Sequence, residues 1–176
     1  LSVNQLILPK REESSEILAM IGMVMLSETT VMYAAKGDQI RVGEVVMNVL
    51  HPTSDYPAGN ANDASLATEV YYREFSALLT GDLEAAGEQH LAKQEALSAY
   101  NVLKVAHHGS KNSTLEEFLE ITEPQISIIM AGVANRYGHP HQELLERLEA
   151  AGSVIRGTYD GGGITIKYQK GRLLIA

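Results

Sequence analysis

The sequence contains no cysteine, which excludes disulfides and thiolate metal sites. Any metal bound to this chain must be held by His, Asp, Glu or Asn, a donor set that suits zinc or manganese. Long apolar runs are missing as well. A membrane-spanning helix needs roughly 20 consecutive apolar residues, and the longest apolar region, Ile17 to Leu26, is about half that length with the periodicity of a core helix. No signal peptide is read. The chain opens on Leu1 rather than Met and enters the strand-like Leu6-Ile7-Leu8 at once, so a cut through a larger protein is the expectation. A basic stripe is also lacking: 14 Lys and Arg stand against 22 Asp and Glu, a net charge of −8, and only Lys10-Arg11 are adjacent. Phosphate neutralisation drives non-specific nucleic-acid binding, so this balance counts against strong binding of that kind by the segment alone.

What remains is the composition of a soluble domain, with 45% apolar and 20% charged residues in 176 positions. That length accommodates one domain, 1–176, with a real core. Without repeats or low-complexity linkers, the pattern reads mostly as alternating strands and helices. Strands are expected at Leu6–Leu8, Val31–Ala34, Gln39–Arg41 and Glu44–Leu50, and a helix over Glu12–Leu26. A polar loop from His51 to Asn62 precedes paired strands Leu66–Tyr72 and Phe75–Leu79. Helices Glu84–Leu97, Leu115–Ile121 and Pro140–Ala151 alternate with strands Val102–Ala106 and Ile126–Met130. Pro140 is taken as a helix start, where proline is favoured. Strands at Val154-Ile155, Ile164–Ile166 and Leu173–Ile175 close an α/β layered domain.

Three apolar strands end in residues able to bind ligands: Leu78-Leu79 before Gly81-Asp82, Val105-Ala106 before His107-His108, and Ile129-Met130 before the loop to His139. Strand ends at a sheet edge hold most ligand sites in layered α/β folds. Asp82 has two readings, an N-cap for the helix near Glu84 or a carboxylate bridging two metal ions. Adjacent side chains on extended backbone point opposite ways, so one of His107 and His108 is expected to face a metal and the other to orient or pack. His139 sits in its loop, placed to meet substrate or shuttle a proton, while His141 reads as a helix-start residue. His51 and His90 read as structural or exposed. For Asn62, Asp63 and Ser65 the plain reading is turn chemistry.

Together these segments are far more specific than any one of them. Leu78-Leu79-Thr80-Gly81-Asp82, Leu103-Lys104-Val105-Ala106-His107-His108-Gly109-Ser110-Lys111 and Asn135-Arg136-Tyr137-Gly138-His139-Pro140-His141 follow in order. With Val49-Leu50-His51-Pro52, Asn62-Asp63-Ala64-Ser65-Leu66 and Asp160 to Ile164, the chain resembles the metallo-β-lactamase domain of ComEC-type DNA-internalisation competence proteins over nearly its whole length. That resemblance implies an αββα sandwich, of which this chain is mainly the C-terminal half, with a di-metal site between the halves. It implies Asp82 as bridging ligand, His108 as terminal ligand, and His107 and His139 as catalytic groups. Substrate contacts are expected at Asn62, Asp63, Ser110, Lys111 and Tyr137.

The implied cofactors are two divalent ions, zinc or manganese, in the intact parent. The implied reaction is phosphodiester hydrolysis of the non-transported DNA strand. Expected partners are single-stranded DNA, the rest of a polytopic bacterial membrane protein carrying this soluble domain on its extracytoplasmic side, and a second copy of the chain. The family's His-x-His-x-Asp-His motif is absent, so this segment by itself is expected to show little hydrolysis and to bind metal weakly. Two rival readings stay open: a phosphorylcholine-esterase-like small metallo-hydrolase, and a non-catalytic half-domain serving assembly or DNA guidance.

Overall fold

The computed structural model describes residues 3–10, 22, 29–57, 60–94 and 97–176. The helix expected over Glu12–Leu26 lies outside the described residues, Gly22 excepted. Strands β1 (Gln5–Pro9) and β2 (Thr30–Ala34) form a parallel pair by themselves. The main sheet has seven strands in sequential order: β3 (Gln39–Val42), β4 (Val45–His51), β5 (Ala67–Tyr72), β6 (Phe75–Leu79), β7 (Val102–Lys104), β8 (Ile126–Ile129) and β9 (Val154–Gly157). From β3 to β6 neighbours are antiparallel, β3–β4 and β5–β6 joined by tight turns and β4–β5 by the longer segment 52–66; from β6 to β9 they are parallel. The parallel connections run through helices α1 (Ala85–Ala92), α2 (Glu116–Thr122) and α3 (Gln142–Ala150), as parallel pairing demands a crossover. A short helix α4 (Thr158–Gly161) and a hairpin of β10 (Ile166–Gln169) and β11 (Arg172–Ile175) complete the chain.

Burial explains these choices. All four residues of β8 are buried, the signature of a parallel strand covered on both faces. Helix α3 buries Leu144 and Leu148, one turn apart, and leaves Glu143, Glu146 and Glu149 outside. One face of the sheet, with Leu78, Leu103 and Ile129, packs under Leu83, Leu91, Phe118, Leu119, Leu144 and Leu148. On the other face Ala77, Val102, Ile126 and Ile128 meet Ile166, Leu173 and Ile175 of the hairpin. Several boundaries differ from expectation: the helix expected over Glu84–Leu97 is Ala85–Ala92, and the strand expected over Val102–Ala106 ends at Lys104, with Ala106 already in the 3-10 segment that follows. Pro140 does not open α3: it follows a cis peptide bond, and the helix starts at Gln142 with His141 as its N-terminal flank. The strand expected at Ile164–Ile166 lies later, at Ile166–Gln169, because it pairs in register with Arg172–Ile175.

Candidate functional site

Pairing of β6, β7 and β8 sets Leu79 beside Lys104 and Lys104 beside Ile128. Their C-terminal ends therefore reach one sheet edge together, and the three loops that leave them carry Asp82, His107-His108 and His139. Gly81 makes the first loop possible. Its φ is +59°, and a Cβ there would lie 2.8 Å from Ser65 Cβ, closer than any side chain tolerates. Ser65 in turn accepts the Asp82 amide at 3.1 Å.

The second loop departs from the extended geometry expected of it. Residues Ala106–Gly109 form a 3-10 turn, with φ of +45° at His107 and +55° at His108. Two consecutive non-glycine residues in the left-handed region cost of order 1–3 kcal/mol each, and the surroundings hold them there. His107 N donates to Gly81 O (3.3 Å), Ser113 Oγ to Ala106 O (3.0 Å), and His141 N to Gly109 O (2.9 Å). Below the loop, buried Glu88 accepts the amides of Thr114 and Leu115. Arg147 donates to the carbonyls of Lys111, Ser113 and Thr114. Because of the turn, the adjacent imidazoles do not point to opposite sides; their centroids stand 6.4 Å apart, and each meets a different acidic residue.

His108 Nδ1 lies 2.6 Å from Met130 O. A carbonyl only accepts, so in the neutral ring Nδ1 carries the hydrogen and Nε2 the lone pair. That lone pair stands 3.5 Å from Asp82 Oδ1. Lys104 comes to the same carboxylate from the sheet, its ammonium 3.5 Å from Oδ1 and also bonded to Gly81 O. Burial pushes the Lys104 amine below its ordinary range, with Asp82 opposing. His107 Nδ1 approaches Glu84 Oε1 to 3.0 Å, but off the direction of its N–H, so the contact is one of proximity without a hydrogen bond. Glu84 is itself fixed by amide groups of Asn60 (2.8 Å) and Asn62 (3.1 Å).

The third loop brings His139 to 5.6 Å from His107 and 4.8 Å from His141, centroid to centroid. Asn135 shapes this loop, accepting the amides of Tyr137 and His139 and donating to Gly132 O. Burial, then the neighbouring imidazoles, keep His139 below its usual pKa. Tyr137 is 61% exposed and stacks on His139.

Of the residues expected here, Asp82, His107, His108, His139 and Tyr137 are brought together. Lys111 lies at the rim, its ammonium 3.9 Å from Glu143 and its amide bonded to His141 Nδ1. Ser110 is buried, and its hydroxyl accepts the Asn112 amide within its own loop. Asp63 stands behind the site: Oδ1 accepts the amides of Glu84 and Gly87, capping α1. Asp82 is thus not the cap. Glu84 and Asn135 join the site without having been expected there from the sequence; the spacing Asp82-x-Glu84 is the available signal for the first.

As a metal site the cluster is a partial fit. Donors 2.0–2.2 Å from a tetrahedral ion stand roughly 3.3–3.6 Å apart, which matches the Asp82–His108 separation of 3.5 Å. No group of three His, Asp or Glu able to hold a metal occurs among the described residues, and the Lys104 ammonium already lies against the carboxylate.

No family model matches the sequence. Over 134 residues the chain is 39% identical to ComE operon protein 3 of Bacillus subtilis (strain 168), covering 76% of this chain and 17% of that protein. It is 40% identical over 100 residues to Recombination protein 2 of Haemophilus influenzae, 57% of this chain and 12% of that protein. It is 31% identical over 111 residues to Competence protein ComA of Neisseria gonorrhoeae, 62% and 16%. A solved protein of unknown function from Enterococcus faecalis V583 aligns over 77% of this chain and 39% of its own length, at 16% identity and a TM-score of 0.34. The chain is thus a homologue of one segment of competence-type proteins and spans less than a fifth of their length.

Proposed function

We propose that this chain forms part of a metal-dependent phosphodiesterase in a longer competence protein, acting on the DNA strand that is not taken up. The observation that carries the reading is the Asp82–His108 pair. With His108 neutral, a carboxylate oxygen and an imidazole lone pair face each other across 3.5 Å, an arrangement relieved by a proton on Nε2 or by a cation between them. A divalent ion held by Asp82, His108 and ligands from outside this segment supplies Lewis-acid polarisation of a phosphodiester and of its attacking water.

The chain's own residues do the rest. Lys104 holds Asp82 in place and offsets its charge from within the sheet. His107, with Glu84 at 3.0 Å and His139 at 5.6 Å, is placed to pass a proton to or from the reacting group. Exposed Lys111 at the rim suits a backbone phosphate. Helices cover one sheet face, while the other leaves Val42, Leu79 and Val154 exposed beside the hairpin, in keeping with an αββα sandwich whose second sheet lies elsewhere in the parent. No described helix is long and apolar enough to cross a membrane, so the polytopic membrane part of this reading belongs to the remainder of the parent.

Cleavage of single-stranded DNA in manganese or zinc tests this, with the full-length protein and its Asp82→Ala variant. Loss of cleavage in the variant is expected; equal cleavage overturns the reading. The non-catalytic rival draws on the absence of a three-ligand group among the described residues, and metal-independent DNA binding without cleavage by the full-length protein would favour it.

A further inference from the structure

At the same sheet edge, where β4 ends two strands from β6, three aromatic rings close on one another. His51, Tyr56 and His90 have centroid separations of 4.5, 4.9 and 5.5 Å and meet edge to face. His51 ends β4 with 0% of its surface exposed. Its Nε2 lies 2.7 Å from Asp63 O, a carbonyl that only accepts. The ring hydrogen of neutral His51 is therefore on Nε2, and Nδ1 is a buried lone pair. Nδ1 has no protein partner among the described residues, nor does buried His90 Nε2. Gln94, four positions after His90 and beyond the end of α1, also buries both amide atoms without a partner. Buried polar atoms are rarely left unsatisfied, and here two of them sit on rings whose centroids are 5.5 Å apart.

We propose that His51 and His90 form a second cation site, separate from the Asp82 cluster, that takes a borderline divalent ion such as zinc. Imidazole nitrogen is the favoured ligand of that class of ion. A ring centre lies about 3.2 Å from an ion bonded at 2.0–2.1 Å, so two imidazoles on one tetrahedral ion stand roughly 5.2 Å apart; the observed separation is 5.5 Å. The bond from His51 Nε2 to a backbone carbonyl is the outer contact that metal-binding histidines habitually make. Solvent completes the coordination, since no third His, Asp or Glu joins the pair among the described residues. An ion there ties the β4 end and the loop carrying Tyr56 to α1, whose N-terminal end supplies Glu84 to the first cluster.

Cobalt(II) titration of the 176-residue chain, followed by visible absorption and displaced by zinc, tests the proposal with His90→Asn and His108→Asn variants. Binding retained in His108→Asn and weakened at least ~10-fold in folded His90→Asn is expected. Imidazole nitrogen NMR of the unsubstituted chain gives a reading that does not depend on a variant folding: zinc must shift the His51 and His90 ring signals. Unchanged His51 and His90 signals at saturating zinc, or equal cobalt affinity in folded His90→Asn, would overturn the site and assign the unpartnered nitrogens to bound water.

Discussion

Glu88 and Thr114, far apart in the chain, are joined by a hydrogen bond of 2.5 Å from the Thr114 amide to Glu88 Oε1. The carboxyl is 1% exposed, and it is the buried support under the loop that holds His107 and His108 in left-handed backbone.

This gives the first prediction, a dependence of stability on pH. Burial pushes the Glu88 carboxyl up to about 7, against the opposing pull of the Leu115 and Thr114 amides and of Arg147. A group whose folded value is raised contributes its stability below the unfolded value of 4.5 and loses it as pH rises through about 7. Between pH 5 and 8 the chain should therefore lose stability, with a ceiling of order 3 kcal/mol from this group. Glu88→Gln, which cannot ionise, should flatten that slope in thermal melts across the range. A slope as steep in the variant as in the natural sequence would exclude Glu88 as its source.

Asp63 tests a different kind of support. Its Oδ1 accepts the amides of Glu84 and Gly87, at 3.2 and 3.1 Å. Asp63→Ala should cost about 1–2 kcal/mol in urea unfolding, the usual loss on removing an N-terminal cap, and Asp63→Asn much less. Equal losses from both substitutions would mean that charge, not the accepting oxygen, is what α1 needs.

These two residues show where the sequence is legible and where it stops. Strands β6 and β8 read directly from apolar runs bounded by polar turns, and the convergence of Asp82, His107, His108 and His139 follows from three such strands ending in ligand-type residues. The orientation of the two adjacent histidines does not follow. The alternation rule applies to extended backbone, and the loop instead takes φ of +45° and +55° under contacts from Glu88, Arg147 and Ser113, the first two distant in sequence. Asp63 reads as a substrate contact or a turn residue in the sequence; its capping of a helix that starts 22 positions later leaves no local pattern. Asp82, adjacent to that helix, resembles the cap for the same reason.

Gly81 is held by two constraints, a φ of +59° and a distance of only 2.8 Å between the place a Cβ would take and Ser65 Cβ. Gly81→Ala should destabilise the fold by roughly 1–3 kcal/mol and displace Asp82, whose amide is bonded to Ser65 Oγ. Paired Gly81→Ala and Ser65→Gly substitutions should recover the part due to the clash and leave the parts due to backbone strain and to the lost bond between the Asp82 amide and Ser65 Oγ, the latter measured in Ser65→Gly alone. Full recovery in the pair would mean that strain contributes nothing.

Arg147 is the counterpart of Glu88 above the same loop. Its guanidinium donates to three carbonyls, those of Thr114 at 3.2 Å and of Lys111 and Ser113 at 2.9 Å each. A lysine has a single ammonium on a flexible stem and cannot span that fan of acceptors in the way a planar fork does. Arg147→Lys should therefore lose at least one bond to a carbonyl, costing about 1–3 kcal/mol because the donor is charged. The loss should be local before it is global. Amide hydrogen exchange should speed up in residues 106–115 while the β5 and β8 amides stay protected, since the apolar contacts of α3 through Leu144 and Leu148 are untouched. Exchange that rises uniformly through the sheet would mean that Arg147 serves the packing of α3, and that the histidine-bearing turn keeps its shape without it.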